Sequence, residues 1–281
     1  MVKDPKERKR QVNEKIMLWS ERKSSNLEDG ANSENDFQPY LETFFLEGIK
    51  SRGVIIICPG GGYAHRAEHE GKPVAQRFNE LGFHCIVLQY RVAPYRWPAP
   101  QEDVLRAVKI TRSRALQWHI DPNKIAVLGF SAGGHLACSS GIVFDQIDAN
   151  DGDAADLVSA RPDATILCYP VISGINMAHS GSFVNLLGET RLPQDLVEYS
   201  WERQVKDSSP PSFIWHTAED MGVPVENSLF YAAALRAKKI PFELHVFPYG
   251  RHGLGLGVEE SCSEVRVWPE LCAKWLAKIN C

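Results

Sequence analysis

A serine framed by glycines is the clearest candidate for chemistry in this sequence. Residues 129–133 read GFSAG, a G-x-S-x-G pattern, between an apolar run and a stretch of helical composition. In a sharp strand-to-helix turn the glycines relieve crowding and leave the serine hydroxyl exposed at the end of the strand. We therefore predict that Ser131 is a nucleophile, which requires a base within reach of its proton.

Among the nine histidines, His252 fits the role of this base best. It lies late in the chain, in a glycine-bracketed loop just after the last predicted strand. His135, four residues after Ser131, is expected to pack or cap on the following helix, and His216 to fix the loop that carries the acid. Three others could line the mouth of the site or lie on the surface: His65, His69 and His179.

An acid is available where this chemistry needs one. A carboxylate must hold the tautomer of the base and stabilise the imidazolium that forms. Asp220 opens a loop after a predicted strand and gives the chain order serine, acid, histidine. The adjacent Glu219 is the alternative, and most other acidic residues are interpreted as solvated surface charge.

A run of three glycines follows an earlier predicted strand. Residues 59–63 read PGGGY, and a backbone without side chains can approach a substrate closely. We expect the N–H groups of Gly61 or Gly62, together with that of Ala132, to form an oxyanion hole. Two side chains near this loop are predicted to bind substrate: Tyr63 and His65. A phosphate site is excluded because neither GxGxxG nor a following Lys-Ser/Thr is present.

Short apolar runs alternate with longer amphipathic runs through most of the chain. The strand candidates are residues 40–46, 53–58, 84–90, 124–128, 164–169, 212–216 and 242–247. The helix candidates are residues 71–81, 100–118, 133–143, 225–237 and 263–279. This alternation predicts βαβ units and a mostly parallel sheet. Since ligands bind beyond the carboxyl ends of such strands, the candidate residues should converge there.

The length of 281 residues indicates one catalytic domain, residues 36–281, behind a polar N-terminal arm, residues 1–35. In the arm, Val12, Ile16 and Trp19 are spaced for one face of a short helix, which would pack on the domain or bind a partner.

An aspartate-rich insertion, residues 145–163, is interpreted as a solvated loop. A calcium site there is a weaker alternative, because the EF-hand order of ligands is missing.

Composition and charge limit the kinds of partner that this protein is expected to bind and the cellular compartment in which it is expected. A formal net charge of −4 gives no pull toward nucleic acid or an anionic membrane. No apolar stretch approaches the roughly 20 residues that span a bilayer, and the first ten residues do not resemble a secretory signal. Seven cysteines without a CxxC pair are typical of reduced thiols. We expect a cytoplasmic protein that takes a small-molecule ester, without metal, nucleic acid or membrane partner, and that could form a homo-oligomer.

Four motifs together carry a resemblance to a known family: PGGGY at 59–63, GFSAGGH at 129–135, the DxxVP loop at 220–224 and GxHG at 250–253. With them the chain resembles the esterase/lipase branch of the α/β-hydrolases, within it the bacterial acetyl-xylan-esterase-like group, from about Tyr40 to the C-terminus. Further likenesses are residues 90–94 (YRVAP), 98–103 (PAPQED) and 182–188 (SFVNLLG). Pro59 stands where many relatives carry histidine.

The resemblance implies the α/β-hydrolase fold, a mostly parallel eight-stranded sheet with helices on both faces. It also implies ester hydrolysis through an acyl-enzyme without a cofactor. Relatives often act on acetylated sugars, so the prediction is a serine carboxylesterase for small acetyl-type esters, with acetylated sugars or oligosaccharides expected.

Four aromatic residues near the predicted mouth could stack on sugar rings, although such residues more commonly pack in the core or rim: Tyr63, Tyr95, Trp97 and Trp201.

Two alternative functions stay open: an amidase or arylformamidase-like hydrolase on the same fold, and a non-catalytic binding module. A long-chain lipase is disfavoured because no strongly apolar lid segment is evident.

Overall fold

Alternating strands and helices form the described part of this computed structural model, residues 11–12, 14–20, 37–46, 48, 53–189, 192–258 and 260–281. The strands are β1 (Gln11–Val12), β2 (Lys15–Met17), β3 (Tyr40–Leu46), β4 (Val54–Cys58), β5 (His84–Gln89), β6 (Ile125–Phe130), β7 (Ala164–Cys168), β8 (Ser212–Thr217) and β9 (Phe242–Phe247). The helices are α1 (Lys72–Glu80), α2 (Ala99–Ser113), α3 (Ser131–Ser140), α4 (Ser180–Leu187), α5 (Glu226–Ala237) and α6 (Trp268–Lys278).

The strands form one sheet in the order β1-β3-β5-β4-β6-β7-β8-β9, and β2 also pairs with β3. Strand β3 is antiparallel to β1, β2 and β5, whereas the neighbours from β5 to β9 are parallel. Because β1 and β2 lie beside different parts of the same strand, the nine segments fill eight positions. The predicted eight-stranded, mostly parallel sheet is confirmed.

The central strands are apolar along their whole length because helices cover both faces. All five residues of β4 are buried. Ile55 and Ile57 pack in a cluster with apolar residues of α1 and α6, and Ile56 belongs to the opposite cluster, with residues of α2, α3 and α5. Full burial of each such side chain is worth about 2 kcal/mol. The prediction of helices on both faces is confirmed.

The predicted helix in the N-terminal arm is wrong, because this segment contributes β1 and β2 to the sheet edge. The free edge of β3 offers backbone hydrogen bonds that a short isolated helix would have to replace. Ile16, Leu18 and Trp19 are buried, and Trp19 Nε1 donates to Asp103 Oδ1 at 2.7 Å. The described part of the arm therefore packs on the domain. The boundary between residues 35 and 36 stays a prediction.

The aspartate-rich insertion is anchored to α2 and is not simply solvated. Buried Arg106 donates to Asp153 at 2.6 Å and to Asp156 at 3.1 Å, and Lys109 donates to Asn150 at 2.6 Å. In the described ranges, no group of three or more histidine, cysteine or acidic side chains is placed to hold a metal ion.

Among the described residues, no helix combines the length and the apolar character that a bilayer span needs.

Candidate active site

The turn from β6 into α3 places Ser131 in a strained backbone conformation. Its φ is +53°, in the left-handed region that non-glycine residues rarely adopt. The surrounding glycines are sterically required: a Cβ on Gly129 would lie 1.9 Å from the carbonyl oxygen of Gly133, and a Cβ on Gly133 would lie 2.2 Å from that of Cys58. The G-x-S-x-G motif therefore folds as a tight turn, the serine elbow, which fixes the position of the serine hydroxyl.

The three predicted side chains meet beyond the carboxyl ends of the parallel strands. Ser131 Oγ lies 2.7 Å from His252 Nε2, and His252 Nδ1 lies 2.6 Å from Asp220 Oδ2. With Nδ1–H donating to the carboxylate, Nε2 is left to accept the serine proton. Strands β6, β8 and β9 thus each deliver one member of a hydrogen-bonded chain.

The carboxylate of Asp220 is buried and strongly hydrogen-bonded. Its Oδ1 accepts from the N–H groups of Gly222 at 2.8 Å and Val223 at 2.9 Å. Burial alone would raise the pKa of Asp220, but hydrogen bonds from His216 and His252 hold that pKa well below its usual range. Asp220 is therefore ionised at neutral pH, as a partner of an imidazolium must be.

The alternative acid, Glu219, lies in the same loop after β8 but in a different environment from Asp220. Glu219 is exposed and accepts a hydrogen bond from the N–H of Gly250 at 3.2 Å. His216 is fully buried and donates through Nε2 to the carbonyl of Val223 at 2.8 Å. This agrees with the prediction that His216 fixes the acid loop.

The glycine loop after β4 lies against the serine elbow, because a Cβ on Gly60 would lie 2.8 Å from the carbonyl oxygen of Phe130 and 3.1 Å from Ser131 Cβ. Gly61 and Gly62 have φ of +123° and +64°, and a Cβ on Gly61 would lie 2.3 Å from the carbonyl oxygen of His65. The carbonyl of Gly62 accepts from Asn185 Nδ2 at 2.8 Å, so Gly62 is held through its oxygen. The N–H of Ala132, in the first turn of α3, has no intrahelical acceptor.

The side chain of Tyr63 lies beneath this loop and not at its rim. It is 1% exposed, and its hydroxyl lies 2.9 Å from His135 Nδ1. The backbone of the loop turns this side chain into the core, and its contact with substrate stays a prediction. His65 is exposed on a groove of about 1020 Å³ whose lining includes Pro59 but neither Ser131 nor His252, and its role in binding stays a prediction.

The other aromatic candidates also pack in the protein. Tyr95 is buried and accepts a hydrogen bond from the N–H of Phe37 at 2.8 Å. Trp201 is fully buried and donates to the carbonyl of His135 at 2.9 Å. Trp97 contacts the ring of Tyr199 edge-on. Core and rim packing therefore accounts for these rings.

His135 is a buried neutral histidine, as its predicted packing role requires. Its Nε2 donates to the carbonyl of Tyr199 at 2.9 Å. Burial lowers the pKa of His135 to about 4.

Two buried residues that the sequence did not mark connect the loops of the site. Glu70 accepts from the N–H of Gly60 at 2.7 Å and from the hydroxyl of Tyr169 at 2.5 Å. The same hydroxyl accepts from the N–H of Gly255 at 2.8 Å, and the Tyr169 ring meets the ring of His252 edge-on at 5.1 Å. No local motif marks Glu70, because its neighbours are charged and it resembles a surface acid.

Fold and site together define an α/β-hydrolase with a serine, a histidine and an aspartate aligned at the elbow. The family model described as BD-FAE matches residues 47–235, which is more than half of the chain, and the chain belongs to the BD-FAE family. The predicted relationship to acetyl-xylan-esterase-like α/β-hydrolases is confirmed.

Two curated relatives show the same relationship. The chain is 42% identical to endo-1,4-beta-xylanase B of Butyrivibrio fibrisolvens and 32% identical to an acetylxylan esterase of Xylanibacter ruminicola, each over 80% of this chain. It spans 36% and 46% of the length of these relatives, so it corresponds to less than half of either protein.

Solved structures match over nearly the full length. An acetyl ester-xyloside bifunctional hydrolase from Caldicellulosiruptor lactoaceticus is 45% identical, with a TM-score of 0.87 over 95% of this chain and 96% of that one. The carboxylesterase Cest-2923 from Lactobacillus plantarum is 25% identical, with a TM-score of 0.74 over 96% and 97%. The predicted class, a carboxylesterase-type hydrolase, is confirmed.

Proposed function

We propose that this chain is a serine carboxylesterase for small acetyl-type esters, with acetylated sugars or oligosaccharides as its natural substrates. The observation that carries the proposal is the alignment of Ser131, His252 and Asp220 through contacts of 2.7 Å and 2.6 Å. A hydroxyl is thereby paired with a base that a buried carboxylate orients, which is the arrangement that acyl transfer requires.

In the proposed cycle, His252 accepts the proton of Ser131 while Oγ attacks the ester carbonyl. The N–H groups of Gly61 or Gly62 and of Ala132 stabilise the negative charge on the tetrahedral carbonyl oxygen. His252 then protonates the departing alcohol. Water, deprotonated by the same ring, attacks the acyl-enzyme and releases the acid and the free serine.

The preference for acetylated sugars is supported by the relatives. One of them is named an acetylxylan esterase, and a structural neighbour covering almost the whole chain is named an acetyl ester-xyloside bifunctional hydrolase. This chain corresponds to only part of each curated relative. That it shares their substrates is therefore a proposal.

A substrate panel tests this proposal. We expect kcat/KM to be higher for the acetyl ester of p-nitrophenol than for the butyryl and octanoyl esters, and acetate to be released from acetylated xylobiose. Ser131→Ala should lower kcat/KM by about four orders of magnitude without unfolding the protein. A kcat/KM of this variant within tenfold of the wild-type value would contradict the proposed mechanism.

The same panel separates the two alternatives. Faster hydrolysis of N-formylkynurenine than of every acetyl ester would favour an arylformamidase-like activity. Binding of acetylated xylobiose without turnover of any member of the panel would favour a binding module.

A cytoplasmic location is part of the proposal. Six cysteines in the described ranges are free thiols and buried: Cys58, Cys85, Cys138, Cys168, Cys272 and Cys281. Thiols remain reduced in cytosolic compartments, which supports this location. Fractionation of the producing cells tests it, and recovery of the protein mainly from the medium would contradict it.

A further inference from the structure

His179 lies beside the glycine loop of the candidate active site. It is the N-cap of α4, and the start of this helix places three side chains near Gly62. A Cβ on Gly62 would lie 4.0 Å from each of His179 Cε1, Ser182 Oγ and Asn185 Nδ2. Since Cε1 is bonded to both ring nitrogens, the imidazole presents its nitrogen-bearing edge to this loop.

The Nδ1 atom of His179 is engaged by Ser182. The N–H of Ser182 donates to the His179 carbonyl at 3.0 Å and to Nδ1 at 3.3 Å, and Ser182 Oγ lies 2.8 Å from Nδ1. We assign Nδ1 as the acceptor that caps α4. A neutral imidazole with Nδ1 as acceptor carries its proton on Nε2. The side chain is half-buried, so Nε2–H is a donor at the edge of the site.

The charge state of this ring is set by its surroundings. Burial lowers the pKa of His179, and the positive charge of a protonated His252 lowers it further, while the Asp220 carboxylate opposes them. The ring is therefore neutral at neutral pH. It offers a directional donor and adds no positive charge beside the base.

We propose that His179 is a substrate-contacting residue whose Nε2–H donates a hydrogen bond to a free hydroxyl on the alcohol part of the ester. The alcohol oxygen must lie next to His252, which protonates it as it leaves, while the carbonyl oxygen lies against the glycine loop. His179 lies beside Gly62, where the carbonyl oxygen is expected, and the charge of His252, which protonates the alcohol, acts on its pKa, so the ring lies near both ends of the reacting ester. The substrate class is an ester of a polyol in which a hydroxyl neighbours the acylated one.

This inference rests on the proposed esterase function and adds a preference within it. The cleanest probe is a pair of acetates that differ by one hydroxyl: cyclohexyl acetate and the monoacetate of trans-cyclohexane-1,2-diol. A neutral hydrogen bond formed in the transition state should give the wild type about a fivefold higher kcat/KM on the hydroxylated ester.

The informative variant is His179→Asn. Asparagine is a good N-cap, so it can retain the cap of α4 while the Nε2–H donor is lost. We expect the fivefold preference to fall to about one, because the loss of kcat/KM on the hydroxylated ester exceeds the loss on cyclohexyl acetate about fivefold. The matched control is His245→Asn on β9, whose histidine contacts Glu243 at 3.0 Å, and this variant should keep the wild-type preference.

The outcomes separate the inference from the proposed function. An unchanged preference in His179→Asn, or equal losses on both esters, would overturn the contact with the alcohol part. A wild type that shows no preference would overturn it as well. If the wild type hydrolyses neither acetate, the esterase proposal fails, and the inference fails with it.

Discussion

The hydroxyl of Tyr169 donates a 2.5 Å hydrogen bond to the buried carboxylate of Glu70. This contact joins residues 99 positions apart and links two loops of the site, because the carboxylate also holds Gly60 and the hydroxyl also holds Gly255. The glycine loop and the histidine loop are therefore joined to each other through this buried pair.

The first prediction concerns this pair. Tyr169→Phe keeps the ring packing but leaves the Glu70 carboxylate and the Gly255 N–H each without one partner. We expect the free energy of unfolding to fall by about 1–3 kcal/mol and kcat to fall about tenfold. Urea unfolding and steady-state kinetics measure the two effects. Tyr249→Phe, at an exposed tyrosine, is the control, and equal behaviour of the two variants would contradict the linking role.

A second prediction tests the serine elbow. Gly129→Ala places a Cβ 1.9 Å from the carbonyl oxygen of Gly133, a backbone atom that cannot move without opening the turn. We expect a loss above about 3 kcal/mol or failure to fold. Gly152→Ala is the control, because its Cβ would meet open space and only its φ of +81° causes strain, about 1 kcal/mol. Similar thermal stability of the two variants would show that the elbow tolerates a side chain.

A third prediction distinguishes the two adjacent acids. Asp220→Asn keeps the shape of the side chain but removes the charge that stabilises the imidazolium, so kcat should fall by about three to four orders of magnitude. Glu219→Gln should stay within about threefold, since Glu219 is exposed and accepts a hydrogen bond from the loop backbone. A larger loss of kcat in Glu219→Gln than in Asp220→Asn would show that Glu219, and not Asp220, is the acid that orients the base.

A fourth prediction concerns stability at acid pH. The pKa of His135 is lowered to about 4 in the folded protein, against about 6.5 when unfolded. Between these values the unfolded chain binds more protons, so stability rises with pH and falls as pH drops through this window. The full contribution is present above about pH 6.5, and about 3 kcal/mol of it is lost by about pH 4.

Unfolding free energies measured across this window in wild type and His135→Gln test the effect. The slope should be smaller in His135→Gln than in the wild type. A slope that is the same in both proteins would contradict the burial of a neutral His135.

The candidate catalytic residues could be predicted because each follows a strand within a short local pattern. For Ser131, Asp220 and His252, chain order and strand ends were enough to indicate one edge of a parallel sheet. Their convergence depends on sheet order, which the alternation of strands and helices already implies.

Other features depend on contacts that no local pattern encodes. Helical spacing in the N-terminal arm was overridden by pairing with β3, more than 20 residues away in sequence. The motif at 59–63 correctly indicated a glycine loop, but it could not indicate that the side chain of Tyr63 turns inward. The role of Glu70 depends on Tyr169, which is brought close only by the fold.

The central claim is that Ser131 is a nucleophile activated by His252, and covalent labelling tests it most directly. Mass spectrometry after treatment with a fluorophosphonate should find one adduct on Ser131 in the wild type. The adduct should be absent in Ser131→Ala and form far more slowly in His252→Ala. No adduct on the folded wild type, an adduct on another residue, or an equal labelling rate without the histidine would contradict the account.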